Sequence, residues 1–414
     1  MTFTKTQNTM RGIEMKKRTL RLTALLLLLV LTLSAVSCKT EKTPTETEPE
    51  TVPATEPETD PPVPPLEAGQ NGCDFILDIP AGRDIKILQF TDTQTVDLKQ
   101  ARNSTRLNDL TAVYYGARKC DSEVLCYRYM DEAVEKSQPD LIVLTGDIVY
   151  GEADDEGTLW MEICDRLDSY GIPWAPVFGN HDNESAMGVT WQIEYLLACK
   201  NCLFRQGDVT GNCNYNIVVR QGGEAKYLLY LLDSNGCHEI DHPGEGIQPD
   251  NPDIDLIQQK QGIYPDQIKW MEDSAEKIFA SAGKRLPILT FFHIPPTALE
   301  RLMTEDYGLD LNKISHAKFG SDGDFGDIYE FAAKIDRDMS FFNAAKALGT
   351  VGMFFGHEHT NDASVVYDGV RLTFGLKTGT HTYWRNGHIG GTQIVIYEND
   401  NTFEVEHLYS DIKK

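Results

Sequence analysis

The sequence predicts an α/β fold in which two mixed β-sheets pack face to face and are flanked by helices. Three observations predict it. Five short apolar runs, 85–90, 141–144, 174–178, 288–291 and 351–355, have the length of buried strands, and each runs into a polar tip. Helical patterns over 122–137 and 156–170 separate the first three runs. That strand–helix–strand repetition builds a parallel sheet with right-handed crossovers. Near the C-terminus, 363–367, 370–374, 393–397 and 403–408 read as antiparallel strands of alternating character.

Taken in order, the chain opens with a polar stretch and then Met15-Lys16-Lys17-Arg18, a positively charged start. The apolar run 22–36 is short for a membrane span and leads into Ala35-Val36-Ser37-Cys38. This is the pattern of a secretory signal with a small-residue cleavage site. It resembles a bacterial lipobox, with Ala35 where Leu is usual. Residues 1–38 are therefore expected to be a signal peptide ending at an acylated Cys38. Residues 39–70 are dominated by Thr, Glu and Pro, with too little apolar surface to offset ordering entropy, and are expected to form a disordered spacer. Residues 71–414 are expected to be the folded domain. The organisation predicts an exported lipoprotein of the cell membrane that faces away from the cytoplasm.

Within the domain, Pro139 closes the first helix and 184–199 reads as another. Segments 214–219 and 226–232 read as a hairpin around Gly222-Gly223. Residues 265–282 read as a helix with proline in its first turn, and 339–348 as a shorter one. Residues 236–262 and 295–325 read as long irregular loops that shape access to a site.

The chain has 414 residues and a net charge of -25, which argues against nucleic acid as a partner, because phosphate backbones need clustered Lys and Arg. Nine cysteines are present, and none lies in the polar tips. In an exported chain they permit disulfides of undetermined connectivity. Cys199-x-x-Cys202 has no second pair at zinc-site spacing.

The tips carry the chemistry. They are Thr91-Asp92-Thr93-Gln94, Gly146-Asp147, Gly179-Asn180-His181-Asp182, Phe292-His293 and Gly356-His357-Glu358-His359. Ligands in α/β sheets bind at the carboxyl ends of strands. Asp92, Asp147, Asn180, His293, His357 and His359 offer oxygen and imidazole donors without a thiolate, a set that suits Zn, Fe or Mn. Six donors exceed what one ion takes beside a water, and two ions sharing a carboxylate account for them.

In this order the motifs resemble those of calcineurin-like metallophosphoesterases. The resemblance implies a four-layer αββα fold and hydrolysis of phosphate esters by a metal-activated hydroxide. It implies that Asp92, Asp147 and His359 hold one metal, that Asp147 bridges, and that Asn180, His293 and His357 complete a second. His181 becomes the general acid or transition-state stabiliser, with Asp182 orienting its ring. The cofactor is then two divalent or mixed-valence ions, Fe, Mn or Zn, and the partner a small phosphorylated substrate. One position departs from the family. Asp-x-His is usual at the first tip, where this chain has Gln94, a poorer ligand. Purple acid phosphatases also lack that His and use the Tyr of Gly-Asp-x-x-Tyr, which Gly146-Asp147-Ile148-Val149-Tyr150 matches. A Tyr150 phenolate there would favour ferric iron. Phe291-Phe292-His293-Ile294-Pro295, the Gly356 to Asp362 wording and Gly375-Leu376-Lys377-Thr378-Gly379 are similar to a purple-acid-phosphatase-like branch. Two other functions fit the same residues: a phosphodiesterase or nucleotide hydrolase, and a catalytically weak ligand-binding lipoprotein.

Overall fold

The computed structural model describes residues 66–97, 100, 122–236, 260–310, 317–320, 323–330 and 338–412. The signal peptide, all but the last five residues of the spacer, Cys120, Cys237, and the unassigned Arg102, Arg106, His238, His242 and His316 lie outside them. Described structure begins at Leu66, which packs against the apolar core, and Gly69 N–H donates to Cys73 O at 2.8 Å. No helix among the described residues is long and apolar enough to cross a membrane.

Two mixed sheets carry the fold. The five-stranded sheet has the order β14-β13-β2-β3-β4, built from β2 (Ile85–Phe90), β3 (Leu141–Thr145), β4 (Trp174–Val177), β13 (Gly390–Ile396) and β14 (Phe403–Tyr409). β2, β3 and β4 run parallel, as the crossover pattern predicts, and β13 joins β2 antiparallel. The seven-stranded sheet has the order β1-β5-β6-β7-β10-β12-β11. Its strands are β1 (Phe75–Ile79), β5 (Asn214–Gln221), β6 (Glu224–Leu232), β7 (Ile288–Phe291), β10 (Thr350–Phe355), β11 (Ser364–Tyr367) and β12 (Val370–Phe374). β5 and β6 form the expected hairpin, and β6, β7, β10 and β12 run parallel.

Side-chain alternation shows how the sheets pack. Along β5, β6, β7 and β10, Ile217, Val219, Leu229, Leu231, Leu289, Phe291 and Phe354 join Ile87, Leu88, Ile142 and Leu144 of the other sheet in one core. Their neighbours Val218, Leu228, Tyr230, Ile288, Met353 and Phe355 face a second core instead. Strands buried on both faces read as continuous apolar runs, which is why these segments lack polar alternation. Phe291 and Phe354, paired on β7 and β10 of the seven-stranded sheet, stack on its inner face with centroids 5.1 Å apart, and Phe354 meets Phe403 of the other sheet at 6.2 Å.

The second core is covered by α4 (Pro265–Ala282) and α6 (Ser340–Leu348), through Met271, Ile278, Phe341 and Phe342. α4 starts at Pro265, behind a reciprocal cap between Tyr264 and Gln267. On the five-stranded sheet lie α1 (Ser122–Ser137) and α2 (Thr158–Ser169), which bury Cys126, Met130, Trp160 and Ile163. Helix–sheet–sheet–helix is therefore the layering.

Two expectations need correction, and one strand was not foreseen. The helix foreseen over 184–199 is α3, Val189–Ala198, because Asp182–Glu184 first makes a separate 3-10 turn. The stretch 295–325 is not wholly irregular: it holds α5 (Thr297–Arg301), a π turn at Leu302–Asp306, and β8 (Ala317–Phe319), which pairs with β9 (Gly326–Ile328). That strand is β1: Phe75, Ile76, Leu77 and Ile79 are apolar, but it carries no polar tip, and it joins the seven-stranded sheet by parallel pairing with β5.

Candidate metal centre

The polar tips converge at one edge of the sandwich. β2, β3 and β4 deliver Asp92, Asp147 and Asn180 from the five-stranded sheet, and β7 and β10 deliver His293, His357 and His359 from the other. The backbone turns sharply to do this. Asp92, Asp147 and His357 have φ of 48°, 49° and 74°, a left-handed conformation that non-glycine residues adopt at a cost. Gly179 is needed for space, since a Cβ there would overlap the backbone nitrogen and carboxylate of Asp147.

Two donor groups result, sharing Asp147. In the first, ligand atoms of Asp92, Asp147 and His359 all lie within 4.8 Å of one another. In the second, Asn180 Oδ1 is 3.1 Å from His293 Nε2 and 3.0 Å from His357 Nδ1. Those two imidazole nitrogens are 3.3 Å apart, and His293 Nε2 is 3.4 Å from Asp147 Oδ1. All six sequence-predicted donors are thus brought together.

Their chemistry fits a cation. Asp92 Oδ1 is buried without a close hydrogen-bond partner among the described residues, with His359 Nε2 3.3 Å away. The other Asp92 oxygen is held by Thr91 Oγ1 at 2.8 Å and His357 N–H at 3.0 Å. Burial works to raise the Asp92 carboxyl, but the hydrogen bond from the His359 ring, with the charges of His293 and Lys377, holds it down at about 2. Burial likewise opposes ionisation of Asp147, and the His293 and His181 charges carry it well below the usual range. Burial pushes His357 down to about 3, helped by the His293 charge, and also lowers His359, so both rings are neutral and able to coordinate. Burial works against protonation of His293 too, yet Asp147 lifts it to about 9. A cation seated there would replace that proton. His293 Nδ1 lies 2.8 Å from Thr145 O, which fixes the ring with Nε2 toward the site.

The remaining predicted residues behave differently. His181 N–H donates to Asp147 Oδ1 at 2.9 Å, and the His181 ring stacks on Tyr150 with centroids 4.6 Å apart. Asp182 does not orient that ring. Its two oxygens accept the Val149 and Gly179 N–H groups at 2.9 and 2.7 Å, tying the β3 and β4 turns together. The carboxylate on the ring is Glu184, whose Oε2 is 2.8 Å from His181 Nδ1. The reason is geometric: in the short 3-10 turn, residue 184 returns to the face of residue 181, and residue 182 points inward. Gln94 is not placed as a ligand either. Its amide nitrogen donates to Asp147 Oδ2 at 2.7 Å, and its oxygen accepts from Lys377 Nζ at 3.1 Å and from Thr382 Oγ1. Tyr150 packs against His181, with its side chain buried.

Sequence reasoning missed Glu184, Thr382 and Tyr383, and singled out Lys377 only within the Gly375 to Gly379 stretch, without a role. Thr382 Oγ1 is 3.2 Å from His359 Nδ1, and the Tyr383 ring lies 4.1 Å from the His359 ring. Burial lowers Lys377 to about 8, against the carboxylates of Asp92 and Asp147, which favour its charge. Spacing offered a signal for Glu184, three residues after His181, and strand-tip position offered one for Lys377, just beyond β12. Elsewhere, Arg385 and His388 bind Asp362, and Arg385 also pairs with Asp327. That ties Arg385 and His388 into a packed network after His359. Cys73, Cys126, Cys164, Cys199, Cys202 and Cys213 are free thiols.

Known proteins resemble this chain. A family model described as calcineurin-like phosphoesterase matches residues 85–361. Probable inactive purple acid phosphatase 14 of Arabidopsis thaliana is 27% identical over 293 residues, covering 66% of this chain and 67% of that protein. Probable inactive purple acid phosphatase 28 of the same plant is 25% identical over 285 residues, 64% of each chain. The chain thus spans about two thirds of the length of these curated relatives. A dimetal phosphatase from Danio rerio superposes with a TM-score of 0.41 at 13% identity, over 80% of this chain and 100% of its own. With the family match extending from the first strand of the five-stranded sheet to the last donor motif, the chain belongs to the calcineurin-like phosphoesterases, among relatives that are purple-acid-phosphatase-like.

Proposed function

We propose that this protein is a metal-dependent phosphoesterase acting on small phosphorylated substrates, with a two-ion centre of Fe, Mn or Zn. The observation that carries the reading is the convergence of six donors from five strand tips, with Asp147 common to both groups. Asp92, Asp147 and His359 would hold one ion, and Asn180, His293 and His357, with Asp147, the other. When bound, the ions supply Lewis acidity and lower the pKa of water. The chain's own residues do the rest. The His181 backbone N–H fixes Asp147 Oδ1. Glu184 takes His181 Nδ1, so proton transfer to a leaving oxygen runs through Nε2. Tyr150 holds the ring flat on its other face. Further out, the sequence at 1–38 supports export and a lipid anchor at Cys38, which would place the domain on the outer side of a membrane.

The test is hydrolysis of p-nitrophenyl phosphate and bis-p-nitrophenyl phosphate by chelator-stripped protein before and after addition of Mn²⁺. Metal-restored turnover that Asp147→Ala abolishes supports the enzyme, and the ratio of the two rates assigns monoester or diester preference. A second reading, a ligand-binding protein with weak catalysis, is favoured by the turning of Gln94 toward Lys377 and by relatives named as probably inactive. Metal binding without turnover on either ester would select it.

A further inference from the structure

The stretch Gly375-Leu376-Lys377-Thr378-Gly379 is built tightly against the first strand tip. Thr91 bridges Lys377 in parallel register, Thr378 N–H donates to Thr91 O at 2.9 Å, and Thr378 Oγ1 accepts from Thr91 N–H at 3.3 Å. Both flanking glycines are required for this approach. A Cβ on Gly375 would overlap the Gln89 carboxamide, and one on Gly379 would overlap Thr93 O. The result is a lysine with only 2% of its surface exposed, whose Nζ donates to Asp92 O at 3.0 Å and to Gln94 Oε1 at 3.1 Å.

Lysine has no acceptor, so the Gln94 oxygen must face it and the Gln94 NH₂ must face Asp147. The side chain that stands where an imidazole ligand is usual therefore presents N–H, not a lone pair, to the shared carboxylate. The Lys377 ammonium also lies beside the first donor group, bonded to Asp92 O and Gln94 Oε1 and, among the described residues, to none of Asn180, His293 and His357. Two cations in a water-poor site repel strongly.

We propose that Lys377 makes the two metal positions unequal: it turns Gln94 away and sets a positive charge beside Asp92, Asp147 and His359, so that this position binds its ion more weakly than the Asn180–His293–His357 position and the centre fills in two separate steps. The proposal rests on the metal-centre reading above. Its test is calorimetric titration of chelator-stripped full-length protein with Mn²⁺, with bound metal counted by elemental analysis.

The wild-type isotherm is expected to show two events separated by about tenfold or more in affinity, since one unit charge a few ångströms away outweighs that difference. Lys377→Gln keeps a donor for Asp92 O and removes the charge. It is expected to tighten the weaker event by about tenfold and leave the stronger within about threefold. Lys377→Met serves as the second variant, and circular dichroism checks that each is folded. Two equal events in the wild type overturn the proposal, as does a weaker event that neither variant strengthens. If neither variant folds, the wild-type isotherm still decides. Absence of any Mn²⁺ binding would remove the metal-centre reading itself, whereas equal filling removes only the inequality.

Discussion

Asp182 and Glu184 are two residues apart, both buried, and assigned opposite work by their contacts. Replacing each by its amide separates them. Asp182 accepts two backbone N–H groups at 2.7 and 2.9 Å. In Asp182→Asn one oxygen still accepts, but the new NH₂ confronts the other N–H. Losing an acceptor and stranding a buried donor costs about 1–3 kcal/mol. Glu184 contacts the His181 ring at 2.8 Å, and Glu184→Gln retains an acceptor there without its charge. A charge-assisted hydrogen bond is about twice as strong as a neutral one, so the protonated ring loses about 1.5–3 kcal/mol of support. That corresponds to about a tenfold to hundredfold loss of kcat if His181 carries a proton in the transition state. The assay pairs urea unfolding with p-nitrophenyl phosphate turnover per folded, metal-loaded molecule. Asp182→Asn should shift the midpoint and leave turnover within about threefold, and Glu184→Gln should do the reverse. A stable Asp182→Asn protein with no turnover, beside an unaffected Glu184→Gln, would refute the assignment.

Gly179→Ala should remove metal binding as well as stability, because the added methyl occupies the space of the Asp147 carboxylate; elemental analysis of the soluble protein would show it. Saturating Mn²⁺ at about one hundred times its Kd should stabilise the fold by about 2.7 kcal/mol for each ion bound, read as a higher urea midpoint than in chelator. Asp154 caps α2 by accepting the Leu159 and Trp160 N–H groups, and burial nevertheless pushes its carboxyl up to about 7. A raised folded-state value favours the protonated form, so its contribution is full below about pH 4 and is lost as pH rises through about 7. Wild type minus Asp154→Asn should therefore lose up to about 4 kcal/mol of stability over that window, measured as the pH slope of the urea midpoint, whatever the absolute level of the variant.

Strand tips were the legible part of this chain. Ile85–Phe90, Leu141–Thr145 and Ile288–Phe291 are apolar on both faces and bounded by turn residues, and so declare themselves. Donor identity follows from residue type, which is why Asp92, Asp147, Asn180, His293, His357 and His359 were all found. What the sequence hid depends on direction. Asp182 and Glu184 both read as carboxylates beside His181, and only the pitch of the 3-10 turn says which one reaches the ring. Gln94 reads as a weak ligand until Lys377, 283 residues away, is seen to claim its oxygen. β1 is apolar but lacks a polar tip, and it is placed by pairing with β5, remote in the chain; β8 and β9 are three residues each, too short to show a pattern.

The donors come from both layers of the sandwich, and Phe354 of one layer meets Phe403 of the other edge to face, with centroids 6.2 Å apart. Ligand spacing is consequently governed by how far the layers stand apart. A bulkier or slimmer residue at the aromatic contact would slide one layer over the other and alter reactivity without touching a ligand. The interior thus offers a means of tuning turnover that leaves every coordinating group in place.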